Sequence, residues 1–116
     1  MLGTDASVVR SAEPSEKARV QQILDHLLPV SQRSGGMQFD VKTAGTRTPY
    51  PIDKIACPVL TVSARDDRFG TASRATSIAA SVLHGKAIIF PTGGHALVGH
   101  SADALRAITS FLRTLQ

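Results

Sequence analysis

Apolar residues follow two different rhythms along these 116 residues. Over 14–28, Val20, Ile23, Leu24, Leu27 and Leu28 recur at helical spacing, and Pro14 and Glu16 stand where a helix opens. The pattern predicts an amphipathic helix over 14–28 that stops before Pro29. Lys17, Arg19 and Asp25 fall mostly off its apolar stripe, and His26 lies on the solvated side. Residues 1–12 show no period and read as irregular. Residues 29–54 contain SQRSGGMQFD and TAGTRTPYP, rich in Gly, Ser, Thr and Pro, and read as a long connection with one short strand or turn. A structureless stretch of that length is uncommon inside a compact domain. It is either a functional lid or a segment ordered by something outside it.

From residue 55 the rhythm changes. IACPVLTVSA is a near-continuous apolar run rich in β-branched residues, with Pro58 near its start, the pattern of a strand buried on both faces of a parallel sheet. RDDRFGT is a polar loop. A helix is predicted over 72–83, with Ala75, Ile78, Ala79 and Val82 on one face, Gly85 as its C-terminal cap and His84 facing solvent. KAIIFP is a second strand, and TGGHALVGH is a glycine-rich loop. SADALRAITSFLRTL is a closing helix whose buried stripe is Leu105, Ile108, Phe111 and Leu112. Residues 55–116 therefore read strand–helix–strand–helix, a right-handed parallel crossover with a further helix packed on it. The fold class is α/β, preceded by a lid-like helix and connection over 1–54.

Composition narrows the function classes. With 42% hydrophobic residues, no Trp, one Tyr and four Phe, the core has to be aliphatic. The net charge is +4 and the basic residues are scattered, so nucleic acid is not expected as a partner. No signal-peptide pattern and no membrane-length apolar run is present, which points to a cytoplasmic protein without a membrane partner. The single cysteine, Cys57, excludes an internal disulfide, fits a reducing compartment and reads as a buried, inert thiol.

Candidate chemistry gathers at GHSAD, residues 99–103, one residue away from the G-x-S-x-G nucleophile elbow. Asp103 stands where the second glycine should be. Only Ala96, Leu97 and Val98 precede Gly99, too few for the strand an elbow requires. Ser101 reads better as a helix N-cap, with Asp103 favouring the positive end of the helix dipole. His95 is the stronger candidate. It follows Gly93-Gly94 at the carboxyl end of the second strand, and Asp66-Asp67 follow the first strand at the same edge, where sites gather in open parallel sheets. A carboxylate there could orient the imidazole for general-base work. The residues alone equally allow two polar loop carboxylates and a solvated loop histidine.

The segment I-x-x-P-V-L-T-V-S-A-R-D-D-R-F-G-T, residues 55–71, resembles the α/β-hydrolase segment that carries the triad acid. K-A-I-I-F-P-T-G-G-H, residues 86–95, resembles the next strand and its G-G-H loop, and A-I-T-S-F-L, residues 107–112, the closing helix. The order of acid then histidine agrees with the family's Ser…Asp…His order. The resemblance implies that His95 is the triad histidine and that Asp67, three residues after Ala64, is the acid, with Asp66 as the fallback. It spans residues 52–115. A weaker likeness to lid segments of esterase-like members lies in LPVSQRSGG.

The resemblance covers only the C-terminal part of that family's domain. No G-x-S-x-G serine and no oxyanion-hole loop occurs in this chain. It implies ester or related carbonyl hydrolysis of a small molecule, without cofactor or metal, and inactivity of this part alone for lack of a nucleophile. Ser63, Ser101 and Cys57 are the residues that could have been recruited instead. A different reading is a non-catalytic interaction or dimerisation module built on the same crossover. A two-strand piece of a sheet leaves unpaired edges, so self-association through a strand edge is expected in either case.

Overall fold

The computed structural model describes residues 2–27, 29–44 and 50–115. Five α-helices, α1 (Ala6–Ser11), α2 (Pro14–Leu27), α3 (Ser34–Ala44), α4 (Thr71–Ser81) and α5 (Ser101–Arg113), accompany two strands, β1 (Val59–Ala64) and β2 (Gly85–Phe90). The strands form a two-stranded parallel sheet in register from Val59 opposite Gly85 to Ala64 opposite Phe90. The fold is mixed α/β with flanking helices.

The crossover is built as its sequence dictates. Val59, Leu60 and Val62 favour extended backbone, and Pro58 stands just outside the ladder, where its missing N–H costs no bond. Helix α4 packs on both strands through Ala75 and Val82, which are buried, and through half-buried Ile78 and Ala79. The Thr61 hydroxyl donates to the Ala75 carbonyl at 2.9 Å and ties strand to helix. Gly85 is not the helix cap. The helix ends at Ser81 with Val82 as cap, and Gly85 opens β2 so close to α4 that a Cβ there would strike the Ala79 carbonyl.

Other expectations are corrected. The stretch 1–12 is not irregular: α1 forms on it, because the Asp5 side chain accepts the Ser7 N–H at 2.8 Å and caps the first turn. Six residues are too few to show a period. The connection 29–54 holds 3₁₀ turns at Val30–Arg33 and Ile52–Lys54 and helix α3, while residues 45–49 lie outside the described residues. Gly35-Gly36 hid α3, since glycine disfavours helix. Its apolar side chains stay in solvent, with Phe39 67% and Val41 75% exposed. Helix α2 ends at Leu27, and Leu28 lies outside the described residues.

The core is small. It consists of Val20 from α2, Ala64 from β1, Ala75 and Val82 at α4, Val98 in the loop after β2, and Ala104 from α5. Strand β1 is half-buried over its first four residues rather than buried on both faces. Most of the α5 stripe is not buried either: Leu105 is 65% and Leu112 55% exposed, Phe111 is half-buried, and the buried residue of the helix is Ala104. Cys57 is exposed, at the end of the sheet opposite the paired acid and histidine described below. No helix among the described residues is long and apolar enough to cross a membrane.

Candidate active site

Two loops leave the carboxyl ends of β1 and β2 side by side. The Arg65 N–H donates to the Phe90 carbonyl at 2.8 Å, so the strands stay paired one residue beyond the sheet. Asp66 and Asp67 follow on one loop, Gly93, Gly94 and His95 on the other.

The two carboxylates divide their work. Asp66 accepts the N–H groups of Gly94 at 2.9 Å and Gly93 at 3.3 Å and the hydroxyl of Thr4, so it holds the glycine loop in shape. Asp67 Oδ2 stands 3.0 Å from His95 Nδ1 and also accepts the Thr71 hydroxyl, while Oδ1 accepts the Phe69 N–H at 3.0 Å. Burial opposes ionisation of Asp67, but its hydrogen bonds from Thr71, His95 and the Phe69 N–H outweigh that and hold its carboxyl below the ordinary value. Burial opposes ionisation of Asp66 too, and the bonds from Thr4, Gly94 and Gly93 likewise prevail.

Proton positions follow from this. An ionised Asp67 only accepts, so His95 Nδ1 carries its hydrogen and the neutral ring keeps its lone pair on Nε2. Thr71 gives its hydrogen to Asp67, so the Ser63 hydroxyl, 2.7 Å from Thr71 Oγ1, must be the donor of that pair. Ser63, Thr71, Asp67 and His95 thus form one file of hydrogen bonds. The Asp67 side chain is 1% exposed and that of His95 60%, so a shielded carboxylate faces an open imidazole. Phe69 meets the His95 ring edge-on, with centroids 5.2 Å apart.

The N-terminal segment is wired into this site. The Leu2 carbonyl accepts the His95 N–H at 2.8 Å, and the Gly3 carbonyl accepts the Arg68 N–H at 2.9 Å. Gly3 is buried, with φ +68°, and a Cβ there would sit 2.5 Å from Asp67 Oδ1. Gly94, at φ +57°, lies so close to Leu2 that a Cβ would strike its carbonyl. Leu97 also takes a left-handed conformation, φ 51°, unusual for a branched residue.

Helix α2 reaches the same loop through Glu16 and Arg19. Arg19 donates to Glu16 through Nε at 3.1 Å and Nη2 at 2.9 Å, and Nη2 also donates to the Ala96 carbonyl at 2.8 Å. Glu16 accepts the Gly99 N–H at 2.9 Å and the Ser101 hydroxyl. The bonds from Arg19, with those from Ser101 and Gly99 and against burial, hold the Glu16 carboxyl down to about 2.

Ser101 is therefore not the N-cap. His100 takes that place without a side-chain bond, and the Glu16 carboxylate holds the approach to α5 through the Gly99 N–H and the Ser101 hydroxyl. Ser101 spends its hydrogen on Glu16 and Ser63 on Thr71, so neither hydroxyl is directed at His95. Sequence reasoning found Asp66, Asp67 and His95 but missed Thr4, Glu16, Arg19 and Thr71. Thr71 could have been found, four residues after Asp67 at a helix start, whereas the other three act across long sequence separations that no local pattern records. Among the described residues no group of three or more His, Cys, Asp and Glu side chains could hold a metal ion. The chain matches no protein-family model, no curated protein and no solved structure.

Proposed function

We propose that Asp67 and His95 are the acid and base of a Ser-His-Asp type hydrolase acting on an ester or related carbonyl, with this chain as the C-terminal part of an α/β-hydrolase-like unit and residues 1–54 as its lid-like segment. One observation carries this reading. A buried carboxylate pairs at 3.0 Å with an open imidazole, the two arriving from adjacent parallel strand ends. In the reaction, His95 Nε2 takes the proton of an attacking hydroxyl as its oxygen bonds to the carbonyl carbon. Asp67 stabilises the imidazolium, and Nε2 returns the proton to the leaving group. In this reading the attacking serine belongs to a part outside these 116 residues, since no G-x-S-x-G occurs in them and the Ser63 and Ser101 hydroxyls donate to Thr71 and Glu16.

A second reading has its own observation. The exposed stripe of α5 and a cleft of about 370 Å³ between sheet and helix, lined by Pro58, Leu60, Ile88, Phe111 and Leu115, suit a non-catalytic interaction module.

The imidazole of the chain alone tests the first reading. His95 is expected to catalyse slow hydrolysis of p-nitrophenyl acetate, with His95→Ala removing the catalysed rate and Asp67→Asn lowering it about tenfold or more. His84→Ala serves as control. A fluorophosphonate is expected to leave no adduct on any serine. A rate indifferent to His95→Ala refutes the acid–base pair, and an adduct that His95→Ala abolishes places the nucleophile in this chain.

A further inference from the structure

We infer that Glu16 and Arg19 of α2 are positioning residues for His95, gripping its loop at the Ala96 carbonyl and the Gly99 N–H so that the helix fixes the imidazole over Asp67. The role rests on the reading of Asp67 and His95 as an acid–base pair. The loop reverses sharply between the two grip points. Its own bonds, Leu97 N–H to Gly94 and Val98 N–H to Gly93, close it through left-handed Leu97. A branched residue in that conformation persists only where its surroundings over-determine it. Those surroundings are the Leu2 carbonyl on one side of the loop and the Glu16–Arg19 fork on the other.

The fork suits the task. Both partners are charged, the guanidinium engages both carboxylate oxygens, and each still bonds the loop backbone. The side chains are 16% (Glu16) and 31% (Arg19) exposed, so solvent screens them less than it does a pair on the open surface. Asp103 and Arg106 on α5 share the same i,i+3 spacing, but they lie in solvent and, among the described residues, bond to no other element. That second pair is an internal control for what an ion pair at this spacing does by itself.

The experiment uses the chain with ¹⁵N-histidine and reads the His95 ring nitrogens by long-range proton–nitrogen correlation, alongside the p-nitrophenyl acetate rate. The unaltered chain is expected to show the tautomer with hydrogen on Nδ1. Glu16→Gln and Arg19→Ala are expected to give a mixture of tautomers and a rate lowered about tenfold, since a displacement of about 1 Å can cost far more. Arg19→Lys is expected to restore part of both, because an ammonium can still reach the Ala96 carbonyl. Arg106→Ala changes neither. If Glu16→Gln and Arg19→Ala lower the melting temperature but leave tautomer and rate unaltered, the fork is only a staple and the inference falls. If Glu16→Gln does not fold by circular dichroism, Arg19→Ala and Arg19→Lys decide. If the unaltered chain shows no His95-dependent rate, the acid–base reading fails by itself, and the tautomer still decides positioning.

Discussion

Asp66 and Asp67 are neighbours with the same chemistry, yet their surroundings give them different tasks. One closes a glycine loop through two backbone N–H groups, and the other presents an oxygen to a histidine. Both carboxyls, and that of Glu16, lie below their ordinary values in the folded chain. A group depressed by folding contributes stability above its unfolded value and loses it as pH falls through the folded one. For Glu16 the window runs from its ordinary 4.5 down to about 2. The melting temperature is therefore expected to fall through that window, and more shallowly for Glu16→Gln. Identical slopes for the two chains would show that the carboxylate makes no such contribution. Gly94→Ala acts at the same scale. It combines a left-handed φ with a backbone collision at Leu2, and denaturant titration is expected to show a loss of about 3 kcal/mol. A change below about 1 kcal/mol would mean that the loop moves aside.

At the scale of elements, the parts with a clean period were legible and the parts without one were not. The strands, α2, α4 and α5 fall within a few residues of the pattern, because each segment carries the apolar spacing of its element. Helix α1 rests on one capping carboxylate, and α3 contains two glycines and buries none of its described side chains, so neither leaves a hydrophobic signature. That Asp67 and His95 lie at one edge of the sheet was legible for a related reason: each stands just after a strand whose end is marked by polar residues. Thr4, Glu16 and Arg19 were not, because what they do depends on which helix lies against which loop. Helix α5 shows the reverse failure. Its period is strong, yet Leu105, Ile108 and Leu112 of the stripe face solvent, while half-buried Phe111 lines the cleft against the sheet.

The whole molecule is loose for its length. Its radius of gyration is 16.0 Å, against about 13 Å for a compact domain of this size. Its accessible surface is 8292 Å², against roughly 6,100 Å² for a monomer of this mass. The excess includes the apolar stripe of α5 and two strands with an unpaired edge each. Such a surface is expected to be covered by association. Light scattering at micromolar concentration is expected to give a mass above 12.3 kDa, and Ile108→Lys with Leu112→Lys to lower it without unfolding the chain. A clean monomer throughout that range would refute the expectation.

The bond from His95 to the Leu2 carbonyl also sets an order of events. The parallel pair and α4 lie together within residues 59–90, so the loops they close are short beside the one that joins residues 2 and 95. The histidine loop cannot lock until the Leu2 segment has met it, and closing so long a loop comes late. Asp67 and His95 are thus set in their paired geometry after their scaffold exists, by a segment far from both in sequence.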